Sequence, residues 1–191
     1  MAARKKPVVA EKTAVVRRPR RTREEGKALL LAAAKKLLES RSPDDVTIRE
    51  IGAEAGVHHR FVMEWFGGKA ALLREVHASR ANTLASRIAT TKDFQGAGSK
   101  RVLESIRREI DLVTWLLNNG ETFDSIEDAF PSLRGGEDFL TNNFGLSGQD
   151  AEKSAQILGS ILVADAILRP HMGIKYPLFD VLVHFIQAVR K

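Results

Sequence analysis

The sequence predicts an all-α protein: an N-terminal three-helix head containing a helix-turn-helix over residues 24–70, and a helical body over 71–191. Three observations predict it. Apolar residues recur at three- and four-residue spacing in segment after segment, and no run alternates as a half-buried strand would. Residues 47–69, TIREIGAEAGVHHRFVMEWFGGK, set two short amphipathic segments on either side of a glycine. Pro43, Gly56, Gly120, Pro170 and Pro177 fall at the ends of periodic segments, as helix punctuation.

The elements follow in order. Residues 1–23 hold nine Lys and Arg against one acid, Glu11, and show no apolar face. They read as a disordered basic arm, either a capture segment for a polyanion or a plain solubilising tail. A first helix is expected over 24–40, with Leu30, Leu31, Ala34, Leu37 and Leu38 as its stripe. Glu24 and Glu25 favour its positive N-terminal end, and Pro43 prevents it from continuing. Thr47 and Glu50 have capping-box spacing and start the next helix. Gly52 leaves room for a neighbouring helix, and Gly56 supplies the left-handed turn. His58 to Phe66 then form a short helix that buries Val62 and Phe66 and turns His59, Arg60 and Glu64 outward.

Long helices are expected over 69–89 and 100–118, joined by the polar stretch TTKDFQGAGS. Val102, Leu103, Ile106, Ile110, Val113, Leu116 and Leu117 form the core face of the second. Short helices are expected near 122–130 and 136–143. Another long one runs over 148–168, stopped by Arg169-Pro170, and Pro177 opens a last helix to Val189. These two are apolar on more than one face, which calls for burial on two sides, one in the protomer and one against a second copy.

The chain has 191 residues and no cysteine, which excludes disulfides and thiolate metal sites. No apolar run approaches the roughly 20 residues of a membrane span, and the N-terminus lacks the apolar stretch of a secretory signal. A cytoplasmic, nucleoid-associated protein is the expectation. Charge is uneven: residues 1–91 carry 19 Lys and Arg against 10 acids, while residues 92–191 carry 11 against 14. Polyanion binding is therefore expected of the front half alone. No paired carboxylates, nucleophile elbow, phosphate loop or zinc-type spacing is present, so no enzyme is expected. His58 and His59 are adjacent and point about 100° apart on a helix, a poor pair of metal ligands. No metal or cofactor is implied.

Gly56-Val57, Phe66, Lys69 and Ala71-Leu72-Leu73, with the amphipathic helix before them and the Phe-Gly-Gly-Lys junction, resemble the tetracycline-repressor (TetR) family of bacterial transcription regulators over roughly residues 24–80. The resemblance implies a homodimer that reads a palindromic operator in double-stranded DNA. It implies a phosphate contact for Lys69 and base or backbone contacts for Arg49, His58, His59 and Arg60. Arginine can bond both acceptors of guanine in the major groove. Glu64 either accepts from a cytosine amine or stands aside, and Phe61 either touches a thymine methyl or joins the core. The sequence departs from the family where Met63 replaces a common tyrosine and Trp65 a common histidine. Methionine donates no hydrogen bond, whereas Trp65 keeps one indole donor for the DNA.

The resemblance further implies a repressor released by a small-molecule effector held in the body. Trp115, Phe123, Phe130, Phe139, His171, Met172 and Tyr176 are the candidate lining, each with plain core as the alternative. Asp165, a lone charge in an apolar helix, pairs across the dimer, faces the pocket or lies at the solvent edge. The competing expectation is a DNA-bound scaffold whose body holds a protein partner instead of a metabolite.

Overall fold

The computed structural model describes residues 22–93, 99–173, 175, 176, 181 and 184. The basic arm to residue 21 and most of the expected last helix lie outside these. The described residues form eight helices: α1 Arg23–Leu37, α2 Ile48–Ala55, α3 Arg60–Phe66, α4 Lys69–Ala89, α5 Lys100–Asn118, α6 Ile126–Ala129, α7 Ser132–Phe144 and α8 Gly148–Met172. No strand occurs among them. None of these helices is long and apolar enough to cross a membrane.

The helix starts are chemically explicit. Thr22 caps α1 and Thr47 caps α2, each with a reciprocal bond from a glutamate three residues on, Glu25 and Glu50. The first of these boxes is not among the expectations above. It places the start one residue before the expected 24, and α1 stops at Leu37, ahead of Pro43. Helices α4 and α5 run as expected.

Two expectations are corrected. Helix α7 is expected to begin at 136, but it begins at Ser132 and runs through Gly135-Gly136. Gly135 is not a break but a contact point: a Cβ there would lie 2.2 Å from the carbonyl oxygen of Ala85 in α4. Helix α8 does not stop at Arg169-Pro170 but continues to Met172, where Gly173 closes it at φ 61°. A proline so near a helix end removes one bond of the last turns, and the left-handed glycine is the effective stop.

Two apolar clusters hold the fold. Leu30, Ala34, Val46, Ile51, Val62, Leu72, Leu73 and Val76 join α1 to α4, and Leu112, Trp115 and Leu116 of α5 complete the same cluster. The core of the head thus extends beyond residue 70 into the body. Leu84, Ile88, Val102, Phe139, Leu140 and Ala155 form the second cluster, between α4, α5, α7 and α8.

Candidate nucleic-acid interface and body cavity

The turn between α2 and α3 is set by two glycines. Gly56 has φ 59° and ψ 34°, and its neighbour Val57 returns a 2.9 Å bond to the carbonyl of Gly52. A Cβ on Gly52 would stand 2.8–2.9 Å from backbone atoms of Val57 and His59. Only a residue without a side chain lets the two segments meet this closely, as expected from the sequence.

Helix α3 is anchored by Val62, fully buried, and by Phe61, Trp65 and Phe66 packed on the first cluster. The Phe61 and Trp65 rings stack at 4.2 Å. Trp65 also lies over Gly26 of α1, where an added Cβ would stand 2.4 Å from its ring. Of the two roles open to Phe61, the core role is the one seen, and Trp65 shares it; its ring is spent on joining α1 to α3. What remains on the surface is a row of other side chains. His58, Arg60, Met63 and Glu64 are exposed, His59 is half-buried, and Arg49 is exposed on α2. Nδ1 of His58 accepts from the backbone N–H of Arg60 at 3.2 Å, which satisfies a free donor at the start of α3. The His58 and His59 rings stack at 4.5 Å. No cluster of three or more metal-ligating side chains occurs among the described residues.

The cap of α2 is held in its charged form. Arg41 donates to Glu50 at 2.8 Å, and with the bonds from Thr47 this lowers the Glu50 carboxyl to about 2. Arg49 and the start of α2 are thereby kept in register at any ordinary pH.

Lys69, expected at a phosphate, has partners within the chain. Its Nζ donates to the carbonyl of Pro43 at 2.5 Å and lies 4.8 Å from the centre of the Trp115 ring. Burial lowers its pKa against the opposing pull of Asp44, Asp45 and Glu50. Trp115 in turn donates from Nε1 to Asp44 at 2.7 Å. Lys69 is therefore part of the joint between head and body, with one of its three N–H donors given to Pro43.

The body encloses a cavity of about 330 Å³ between α4, α5, α7 and α8. Of the aromatic residues expected around an effector, Phe130 and Phe139 line this cavity. Trp115 and Phe123 do not: both pack on the core of the head, because the C-terminal end of α5 lies there. Phe123 sits edge-on to His77 at 6.0 Å, and Nε2 of that histidine bonds the carbonyl of Ala129 at 2.8 Å. His171, Met172 and Tyr176 are exposed, since α8 contributes to the cavity only from Ala155 to Ala164. Asp165 is not at the solvent edge. It is 8% exposed, and its Oδ2 lies 3.2 Å from Nε of Arg169.

Sequence reasoning missed Glu109 and Ser132, a hydrogen-bonded polar pair in the cavity wall. Ser132 donates from Oγ to Oε2 of Glu109 at 2.6 Å. The signal is present: Glu109 falls three residues after Ile106 and four before Val113, on the apolar stripe of α5. Burial raises its carboxyl to about 7, partly opposed by the bonds from Ser132. Because this folded-state value exceeds the ordinary one of about 4.3, protonation favours the folded form. The stabilising contribution is complete below the ordinary value and is lost as pH rises through about 7. The melting temperature should therefore fall from pH 5 to pH 8 in the wild type and stay flatter in Glu109→Gln. A difference between the two proteins that does not vary with pH would count against a proton-binding Glu109.

Comparison with known proteins agrees with this geometry. Residues 30–76 match the model for bacterial regulatory proteins of the tetR family. No curated protein matches the chain. Among solved structures it is similar to the TetR family repressor AlkX from Dietzia sp., implicated in biodegradation of n-alkanes. That likeness has a TM-score of 0.54 and 19% identity, and covers 85% of this chain and 97% of the other. It is also similar to a tetR-family transcriptional regulator from Streptomyces coelicolor, with a TM-score of 0.55 and 21% identity over 84% of this chain and 77% of the other. At such identities the likeness is one of fold. Residues 30–76 thus carry the signature domain of the tetR family, on a body whose fold is similar to that of these regulators.

Proposed function

We propose that the protein is a repressor that binds a palindromic operator as a twofold dimer and is released when a small molecule enters the body cavity. One observation carries this reading: α5 serves both places. Its N-terminal half lines the cavity through Val102, Ile106, Glu109 and Ile110, and its C-terminal end lies in the core of the head through Leu112, Trp115 and Leu116. A molecule that displaces α5 therefore displaces the packing under α2 and α3. Coupling of this kind needs a rigid element that both sites bias. Dimerisation is supported by apolar residues of α8 left at the surface, Ile157 at 62%, Ile167 at 47% and Leu168 at 43% exposure.

In this reading α3 enters the major groove. Arg60 reads a base, His59 and Glu64 flank it, and Arg49 and His58 reach bases or backbone. Arg60→Ala should cost about 1–3 kcal/mol on the operator and relax preference at one position in each half-site. The check begins by selecting bound fragments from genomic DNA. Wild type and mutant are then titrated against the operator and a scrambled duplex at two salt concentrations. Equal weakening on both duplexes would make Arg60 a backbone contact. Selected sites without twofold symmetry would count against the dimeric reader.

A further inference from the structure

Among the described residues the cavity wall is mostly apolar, and its polar side chains are Glu109, Ser132 and Ser160. Glu109 is 6% exposed, and only its Oε2 is engaged, by Ser132. Its other oxygen, Oε1, is buried and has no hydrogen-bond partner. A buried acceptor left without a donor is costly, more so for a charged group. Packing alone gives no reason to retain it, since an apolar side chain of like size would fill the same space without the penalty.

The surroundings do not neutralise the carboxylate. No other ionisable side chain lines the cavity among the described residues. Glu109 also borders a polar cleft that carries Lys35, Glu39, His77, Arg80, Arg87 and Arg108. Three of its basic groups are directed elsewhere: Lys35 to Ser79, Arg80 to the carbonyl of Lys35, and Arg87 to Ser105. No ion pair joins any of them, or Arg108, to Glu109 among the described residues. A buried carboxylate with one oxygen unpartnered and no counter-charge is complemented best by a cation that brings its own N–H groups.

We propose that the cavity takes an apolar molecule bearing a single protonated amine, whose ammonium donates to Oε1 of Glu109 while its hydrocarbon part lies against Ile106, Phe130, Phe139 and Leu162. This assignment rests on the cavity being the effector site of the function proposed above. A neutral alcohol of the same shape makes the hydrogen bond but not the charge pair. A carboxylate of the same shape meets Glu109 with like charge and is excluded.

Three probes of matched shape separate these cases: phenylbutylamine, phenylbutanol and phenylbutyrate. Each is titrated into the full-length protein by calorimetry at pH 7.5, and each is tested for release of a labelled operator duplex. The amine should bind roughly tenfold or more tightly than the alcohol, and the carboxylate should not bind. The affinity of the amine should rise from pH 6 to pH 8 as Glu109 loses its proton, and that of the alcohol should not. Glu109→Gln should remove the preference of amine over alcohol while leaving the alcohol bound. The wild-type series stands by itself should that variant fold poorly. Alcohol or carboxylate binding as tightly as the amine, or no binding by any probe, overturns the assignment. Amine binding without release of DNA sustains the assignment and counts against the effector reading. Release by the alcohol or carboxylate alone does the reverse.

Discussion

Gly135→Ala should destabilise the protein by about 3 kcal/mol, the upper end of the usual cost of overpacking. The new Cβ would meet the oxygen of Ala85 at 2.2 Å, its Cα at 2.6 Å and its carbonyl carbon at 2.7 Å. All three are backbone atoms of a long helix, so no side chain can rotate aside. Helices α4 and α7 must separate, and Leu84, Ile88, Phe139 and Leu140 lose contacts across the same seam. At roughly 2–4 °C per kcal/mol for a chain of this size, the midpoint of thermal unfolding should fall by about 6–12 °C. Gly136→Ala is the control. Its Cβ would sit 3.5 Å from that of Ala155, an ordinary contact, and alanine favours the helix by up to about 1 kcal/mol. Scanning calorimetry of the two variants decides: equal midpoints would refute a close helix approach at Gly135.

Leu116→Ala should cost about 2–5 kcal/mol, as expected for a fully buried leucine. Its second effect is more telling. Leu116 belongs to the body by position but packs in the core of the head with Val62 and Leu72. Operator affinity should therefore fall in this variant even at temperatures where it remains folded. Val102→Ala, in the second cluster, should lower stability and leave affinity nearly unchanged. Denaturant unfolding and operator titration of both variants test this. Undiminished affinity in folded Leu116→Ala would show that the head does not depend on α5.

Local chemistry makes much of the head legible in the sequence alone. The Thr47–Glu50 box, the left-handed Gly56 and the close approach at Gly52 each depend on a few neighbouring residues, and each is readable from spacing. So are the bounds of α4 and α5, which follow from long periodic stripes. Legibility fails where partners are distant in sequence. Nothing near Lys69 announces Pro43 and Trp115, and a generic motif points that lysine outward. Trp115 and Phe123 look like pocket aromatics, yet they lie at the end of α5 that meets the head. Glu109 escapes notice because a carboxylate on an apolar stripe reads first as an exposed charge. Pro170 reads as a stop, although the penalty is small so near a helix end.

The Trp115–Asp44 bond spans 71 positions of sequence. During synthesis α1, α2 and α3 emerge well before α5, and the cavity they leave for Leu112, Trp115 and Leu116 stays open until those residues arrive. Contacts of such long range are slow to close, because the intervening chain must first be ordered. The core beneath α2 and α3 is therefore completed only once α5 has been made.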